Sequence, residues 1–148
     1  MTGRERGGVG TVQWKAEPDE HDYPAAASYL SLVGTAAQGT DLVKRLAGAP
    51  VEHHKAKDIL RSAALPLLAQ HNPHVAADLK KVTKGKPLSP VLLVRGDLLR
   101  GVPAQIADGY HRVCASYHLD ENTGIPCRIV DPLPMTGDRT GPWTGDGR

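Results

Sequence analysis

Two stretches in the first half of the chain repeat apolar residues at the spacing of an amphipathic helix, which predicts helices over residues 40–46 and 73–83. An alanine-rich segment before them predicts a further helix over residues 23–32. The helix over residues 73–83 is the best marked, because Asn72 is a good N-cap and Pro73 suits the first helical position. Gly85 is expected to end this helix.

Short apolar runs dominate the second half and predict strands over residues 90–95, 103–108 and 125–130, with a short helix over 112–119. The first two strands are expected to pair antiparallel across a turn. Pro126 indicates that the last strand lies at an edge or begins there, because proline donates no backbone hydrogen bond. The order of elements predicts an α+β domain with a small mixed or antiparallel sheet.

Both ends of the chain lack periodicity. Residues 1–21 mix glycine with charge and residues 132–148 are rich in proline and glycine, so both are predicted to be flexible tails around one domain over 22–131. Residues 51–61 carry His53 and His54 among charges and favour neither a helix nor a strand. Residues 65–68 are expected to form an extended connection.

Composition narrows the class of protein. The 148 residues are 40% hydrophobic and 23% charged, as in globular domains, and contain no Phe, so Leu, Val, Ile and Ala must build the core. A net charge of +2 permits contact with nucleic acid without indicating it. Cys114 and Cys127 form no metal-ligand motif, which favours a reduced, cytoplasmic protein. No segment has the apolar length of a membrane span or the pattern of a secretion signal, so no membrane partner is expected.

The most informative motif is the run Asp108-Gly109-Tyr110-His111-Arg112, at the junction between a predicted strand and a predicted helix. Free backbone N–H groups gather at a helix N-terminus, and a histidine and an arginine there add further donors. Such a place suits an oxyanion, above all a phosphate.

These residues resemble the ParB/sulfiredoxin superfamily over about residues 59–131. The resemblance rests on the helix opened by Asn72-Pro73, the Pro90–Val94 strand, the Asp108–Arg112 motif and the closing Ile125-Pro126 strand. It implies a small ParB/sulfiredoxin-like fold, here carrying residues 22–58 as a helical N-terminal addition. Stand-alone relatives, some described as ParB-like nucleases, have close variants of the motif.

The resemblance also implies a nucleotide ligand, for which ATP, ADP and CTP are the candidates, and Mg²⁺ is a candidate companion ion because a carboxylate such as Asp108 can hold it beside phosphates. By position, Gly109, His111 and Arg112 match the residues that contact phosphate in relatives. His74 and Lys81 on the preceding helix are expected to reach the same phosphates, and Arg61 is a further candidate. Asp108 and His111 are the candidate catalytic residues, with Asp108 as a base or a Mg²⁺ anchor.

Two departures from the family limit the chemistry. Tyr110 stands where a sulfiredoxin has its reactive cysteine, so sulfinic acid repair is not expected. The DNA-reading and dimerisation regions of a partition ParB protein would have to follow the last predicted strand. About 17 residues follow that strand, so a complete centromere-binding clamp is not expected.

Plainer interpretations stand beside these. Arg112 can pair with a neighbouring carboxylate, His111 can cap a loop, and Asp108-Gly109 can serve only as a turn. The other histidines, His53, His54 and His71, are interpreted as surface residues, and no metal site is predicted from them. The leading hypothesis is a nucleotide-phosphate-binding protein, as a nucleotide-dependent hydrolase or phosphotransferase. The alternatives are a non-catalytic DNA-binding or protein-interaction module, and a ParB-like nuclease.

Overall fold

The computed structural model describes residues 11–132, which form five helices and four strands. In chain order these are α1 (Asp22–Val33), α2 (Ala36–Gly48), β1 (Val51–Lys55), α3 (Ala56–Ala63), α4 (Pro73–Thr83), β2 (Val91–Val94), β3 (Gln105–Asp108), α5 (Tyr110–Leu119) and β4 (Gly124–Val130). The helix predicted from the Asn72 cap is confirmed. The side-chain oxygen of Asn72 accepts hydrogen bonds from the backbone N–H groups of His74 at 2.9 Å and Val75 at 3.2 Å.

The four strands form one mixed sheet in the order β1-β4-β2-β3. The predicted antiparallel pairing of β2 with β3 is confirmed. β4 runs parallel to β2 and antiparallel to β1. The predicted α+β class is therefore correct.

Helices cover both faces of this sheet, and the alternation of side chains along β2 shows how. Val91 and Leu93 pack into a cluster with α3, α4 and α5, whereas Leu92 and Val94 pack into a second cluster with α1 and α2. Successive side chains of a strand point to opposite faces, so a strand buried on both faces is apolar throughout. This explains the uninterrupted run Val91–Val94.

The region predicted to be a helical addition, residues 22–58, is part of the domain itself. Residues 51–55 form the strand β1, which pairs with β4, and α1 and α2 build one of the two cores. The local pattern missed β1 because an edge strand that is only partly buried carries charged residues and histidines. Residues 59–61, left open by the sequence, belong to α3.

Of the two positions expected from Pro126, the edge is wrong, since β4 lies inside the sheet between β1 and β2. The position at the strand start is confirmed, since Pro126 is the third residue of β4. Pairing with β2 begins only at Cys127, opposite Val91. Pro126 therefore stands at a level where one side of β4 has no partner strand, and its missing N–H group is tolerated there.

The prediction that residues 1–21 form a flexible tail is wrong for the second half of that segment. Trp14 forms a β-bridge with Leu88 and packs against the core below α4. The Leu88 N–H donates to the Gln13 carbonyl and the Lys15 N–H donates to the Leu88 carbonyl, both at 2.8 Å. A large aromatic ring contributes enough buried surface to order a polar, glycine-poor segment. The remaining parts of the predicted tails, residues 1–10 and 133–148, lie outside the described residues.

Candidate functional site

A cavity of about 390 Å³ lies between the segment that precedes α1, the outer face of α4 and the N-terminus of α5. It gathers six of the seven residues that the sequence singled out, from two regions of the chain: His74, Lys81, Asp108, Gly109, His111 and Arg112. His74 and Asp108 are 34 positions apart, with β2 and the β2–β3 loop between them, so only the tertiary fold brings the two groups together.

Gly109 is the N-cap of α5 and has a backbone that other residues rarely adopt, with φ +115° and ψ +14°. A side chain is also excluded by contact, because a Cβ here would lie 2.4 Å from Cγ1 of Val91. No side chain of the described residues caps α5. The N–H groups of its first turn have no acceptor within the helix, and Gly109, His111 and Arg112 from this turn line the cavity.

The guanidinium of Arg112 belongs to a buried network of hydrogen bonds and ion pairs. It donates to Oδ2 of Asp108 at 2.6 Å, to Oδ2 of Asp22 at 3.3 Å and to the Ser89 carbonyl at 3.1 Å. It also contacts the Ser89 hydroxyl, which donates to Asp22 at 2.9 Å. The plainer interpretation of Arg112, pairing with a carboxylate, describes this geometry. Arg112 therefore ties α1, β3 and the segment before β2 together at the back of the cavity.

The pKa of Asp108 is raised to about 6. Burial is the main cause, the nearby Arg112 cation opposes it, and the Asp22 carboxylate adds to it. Burial likewise raises the pKa of Asp78 on α4. It lowers the pKa of His111, and His74 lowers it further. The cavity thus places a carboxyl with a raised pKa and an imidazole with a lowered pKa within one site.

We expect the Asp108 carboxyl to make the fold less stable as the pH rises from about 4 to about 6. Its pKa in the folded protein, about 6, lies above the ordinary aspartate value of 3.8, so the folded state retains the proton longer. The contribution is fully present below the lower value, is lost as the pH passes through the upper one, and then levels off. The free energy of unfolding should be measured in denaturant at about pH 4 and about pH 7. The step should be absent in Asp108→Asn, and a carboxyl resonance of Asp108 titrating at its ordinary value would contradict this.

The imidazole rings of His74 and His111 pack against each other in the lining of the cavity. The His74 and His111 ring centroids lie 4.7 Å apart with the planes tilted by 43°. Lys81 lies two turns beyond His74 on α4, with its amine 4.0 Å from Asp78. Their side-chain nitrogens add hydrogen-bond donors to the lining of the cavity.

Several cavity residues were not predicted. Asp22 and Ser89 hold Arg112, and Lys15 pairs with Asp19 at 2.7 Å at the rim. Asp22 lies 90 residues before Arg112, and no local pattern signals such a contact. Asp78 alone had a signal, since it lies on the helical stripe of His74 and Lys81.

Arg61 does not belong to this site, which corrects the sequence-based expectation. It projects from the outer face of α3 with 83% of its side chain exposed and pairs with Asp58 at 2.9 Å. It lines a different cavity, beside Leu67 and Tyr117. The apolar face of α3 is turned into the core, so the polar face that carries Arg61 must point outward.

One group of side chains could hold a metal ion. Donor atoms of Asp19, His21 and Asp22 lie within 4.8 Å of one another at the cavity rim. The two carboxylates are the oxygen ligands that Mg²⁺ prefers, whereas the imidazole suits a transition metal better. Asp22 is already engaged with Ser89 and Arg112, so Asp19 offers the freer oxygens.

No family model, curated protein or solved structure matches this chain. Within residues 11–132, none of the helices combines the length and the apolar character that crossing a bilayer requires.

Proposed function

We propose that this protein binds the phosphate groups of a nucleotide in the cavity at the N-terminus of α5, as a ParB/sulfiredoxin-like protein. The observation that carries the proposal is the uncapped first turn of α5, which opens on a cavity that also contains His111, His74 and Lys81. Two imidazoles, an ammonium group and the start of a helix then line one cavity. This is a set of donors suited to phosphate oxygens.

The charged side chains around the cavity affect which form of a nucleotide can bind there. Three permanent cations, Lys15, Lys81 and Arg112, face four carboxylates, those of Asp19, Asp22, Asp78 and Asp108. A polyphosphate would meet no net positive charge there. A divalent cation that bridges carboxylate and phosphate removes this repulsion, so the proposed ligand is a nucleotide together with Mg²⁺.

The catalytic part of the proposal rests on Asp108 and His111. Phosphoryl transfer depends mainly on positioning and on neutralising charge, with a base near the attacking oxygen. Asp108, with a pKa of about 6, can exchange a proton near neutral pH, and the lowered pKa of His111 favours its neutral imidazole. Hydrolysis or transfer of a phosphoryl group is the reaction this pair would serve.

Calorimetric titration with ATP, ADP and CTP, each with and without Mg²⁺, tests the binding. We expect at least one nucleotide to bind, more tightly with Mg²⁺. Lys81→Met should weaken it about tenfold through the loss of one charge-assisted contact. Lys80→Met is the matched control, because Lys80 is exposed on the same helix and does not line the cavity. Its affinity should be unchanged.

Failure of all three nucleotides to bind under either condition would refute the proposal. Equal effects of the two lysine variants would place binding elsewhere. The alternative function, a DNA-binding module, has one observation in its favour, the cluster of lysines 80, 81, 84 and 86 at the end of α4. Salt-dependent retention on DNA without nucleotide binding would support that alternative.

A further inference from the structure

The loop that joins β2 to β3 presents two adjacent leucines to solvent. The side chains of Leu98 and Leu99 are 95% and 96% exposed. The loop is nevertheless well defined, because Asp97 bridges Val102 and its carboxylate accepts from the N–H groups of Leu99 at 3.1 Å and Arg100 at 3.3 Å. A structured turn that holds large apolar side chains outward is a common sign of an interaction surface.

A groove of about 380 Å³ lies on the same face, between the C-terminus of α1, the start of α2 and the base of the β2–β3 hairpin. Its floor consists of the core residues Leu30, Leu42 and Val94. Val33 and Val102, both exposed, line its rim. The groove therefore has the apolar lining and the size to accept leucine side chains.

We propose that two copies of this chain associate through this face, with Leu98 and Leu99 of each copy inserted into the groove of the other. A protrusion and a groove side by side on one surface are self-complementary, because a two-fold axis between them satisfies both at once. The association is independent of the proposed nucleotide site.

Charge on this face favours a second copy over a strongly charged partner. Arg95 and Arg100 stand beside Asp97, Asp131 and Glu52, so the face carries both signs. Two such faces related by a two-fold axis can place Arg100 of one copy against Asp131 of the other. An acidic or a basic partner would meet like charge on part of this face.

Sedimentation velocity of the full chain, over concentrations up to about 1 mM, tests the association. We expect a dimer, and Leu98→Ser with Leu99→Ser should raise its dissociation constant at least about tenfold. Leu67→Ser is the control, because Leu67 is an exposed leucine that lines another cavity. Since Leu98 and Leu99 have almost no contacts to lose, thermal unfolding by circular dichroism should be unchanged in the double variant.

A chain that stays monomeric throughout, or a dimer that the double substitution does not weaken, overturns the proposal. Retention of such a monomer on phosphatidylcholine vesicles, lost in the double variant, would assign the face to a membrane instead.

A cross-link tests the geometry directly. Leu99→Cys in one copy and Val33→Cys in another should form a mixed disulfide on oxidation of the mixture. Leu99→Cys with Leu67→Cys should form far less. The native Cys114 and Cys127 are buried and do not compete. Equal yields from the two mixtures would exclude insertion of the loop into the groove.

Discussion

Replacing Arg112 by alanine is expected to destabilise the protein by about 3–5 kcal/mol, because it leaves buried carboxylates without their cation. The side chain of Arg112 is only 12% exposed and that of Asp22 only 5%. When both are ionised, Asp22 and Asp108 only accept hydrogen bonds and repel each other, so without Arg112 the Asp108 carboxyl must keep its proton to donate to Asp22. The loss should exceed the usual effect of removing an ion pair, since the contacts join α1 to β3 and α5 across 90 residues.

Denaturant unfolding of matched variants distinguishes the loss of the buried network from the loss of stability that removing any arginine would cause. Arg61→Ala removes an exposed ion pair and should cost less than about 1 kcal/mol. Arg112→Met combined with Asp22→Asn and Asp108→Asn removes the charges together and should recover most of the loss. If Arg112→Ala were no more harmful than Arg61→Ala, the network would not be a stabilising element of this fold.

The second large effect is expected at Gly109. Gly109→Ala should destabilise the protein by about 3 kcal/mol or more, because backbone strain and overpacking add. Its φ of +115° disfavours any side chain, and the new Cβ would lie 2.4 Å from Val91, a β2 residue fixed in the core. The same contact would displace β2 from the start of α5, so nucleotide binding should fall with stability.

Alanine substitutions at two other glycines separate the cost of backbone strain at Gly109 from the cost of overpacking. Gly85 has φ +73°, and a Cβ added there would have no neighbour within 4 Å, so Gly85→Ala reports strain alone, about 1–2 kcal/mol. Gly124 has neither a positive φ nor a close neighbour, and Gly124→Ala should change stability by less than about 1 kcal/mol. If Gly109→Ala lowered the free energy of unfolding no more than Gly85→Ala does, β2 would have to shift and make room for the new methyl group.

The proposed nucleotide site and the proposed dimer face lie at opposite ends of α1. Asp22 begins this helix at the cavity and Val33 ends it at the groove, roughly 17 Å away at 1.5 Å per residue. Variants at the two places share no contacts, so their effects on stability should add. The binding and association experiments can therefore fail independently.

Much of the local structure can be predicted from the sequence. The Asn72 cap, the apolar run Val91–Val94 and the turn at Gly109 each depend on residues near in the chain, and each was located correctly. β1 was missed because its strand character comes from pairing with β4, some 70 residues later. The ordering of the segment before α1 was missed for a related reason, since Trp14 is held by Leu88.

The sequence by itself determined that a carboxylate, a glycine, a histidine and an arginine meet where a strand becomes a helix. These residues are neighbours in the chain, so their proximity needs no tertiary contact. Only the tertiary structure decided that Arg112 is shared with Asp22 and Ser89, and that His74 and Lys81 face the same cavity. Those contacts require both cores to form on the two faces of the sheet, and packing over such distances is not encoded in any local pattern.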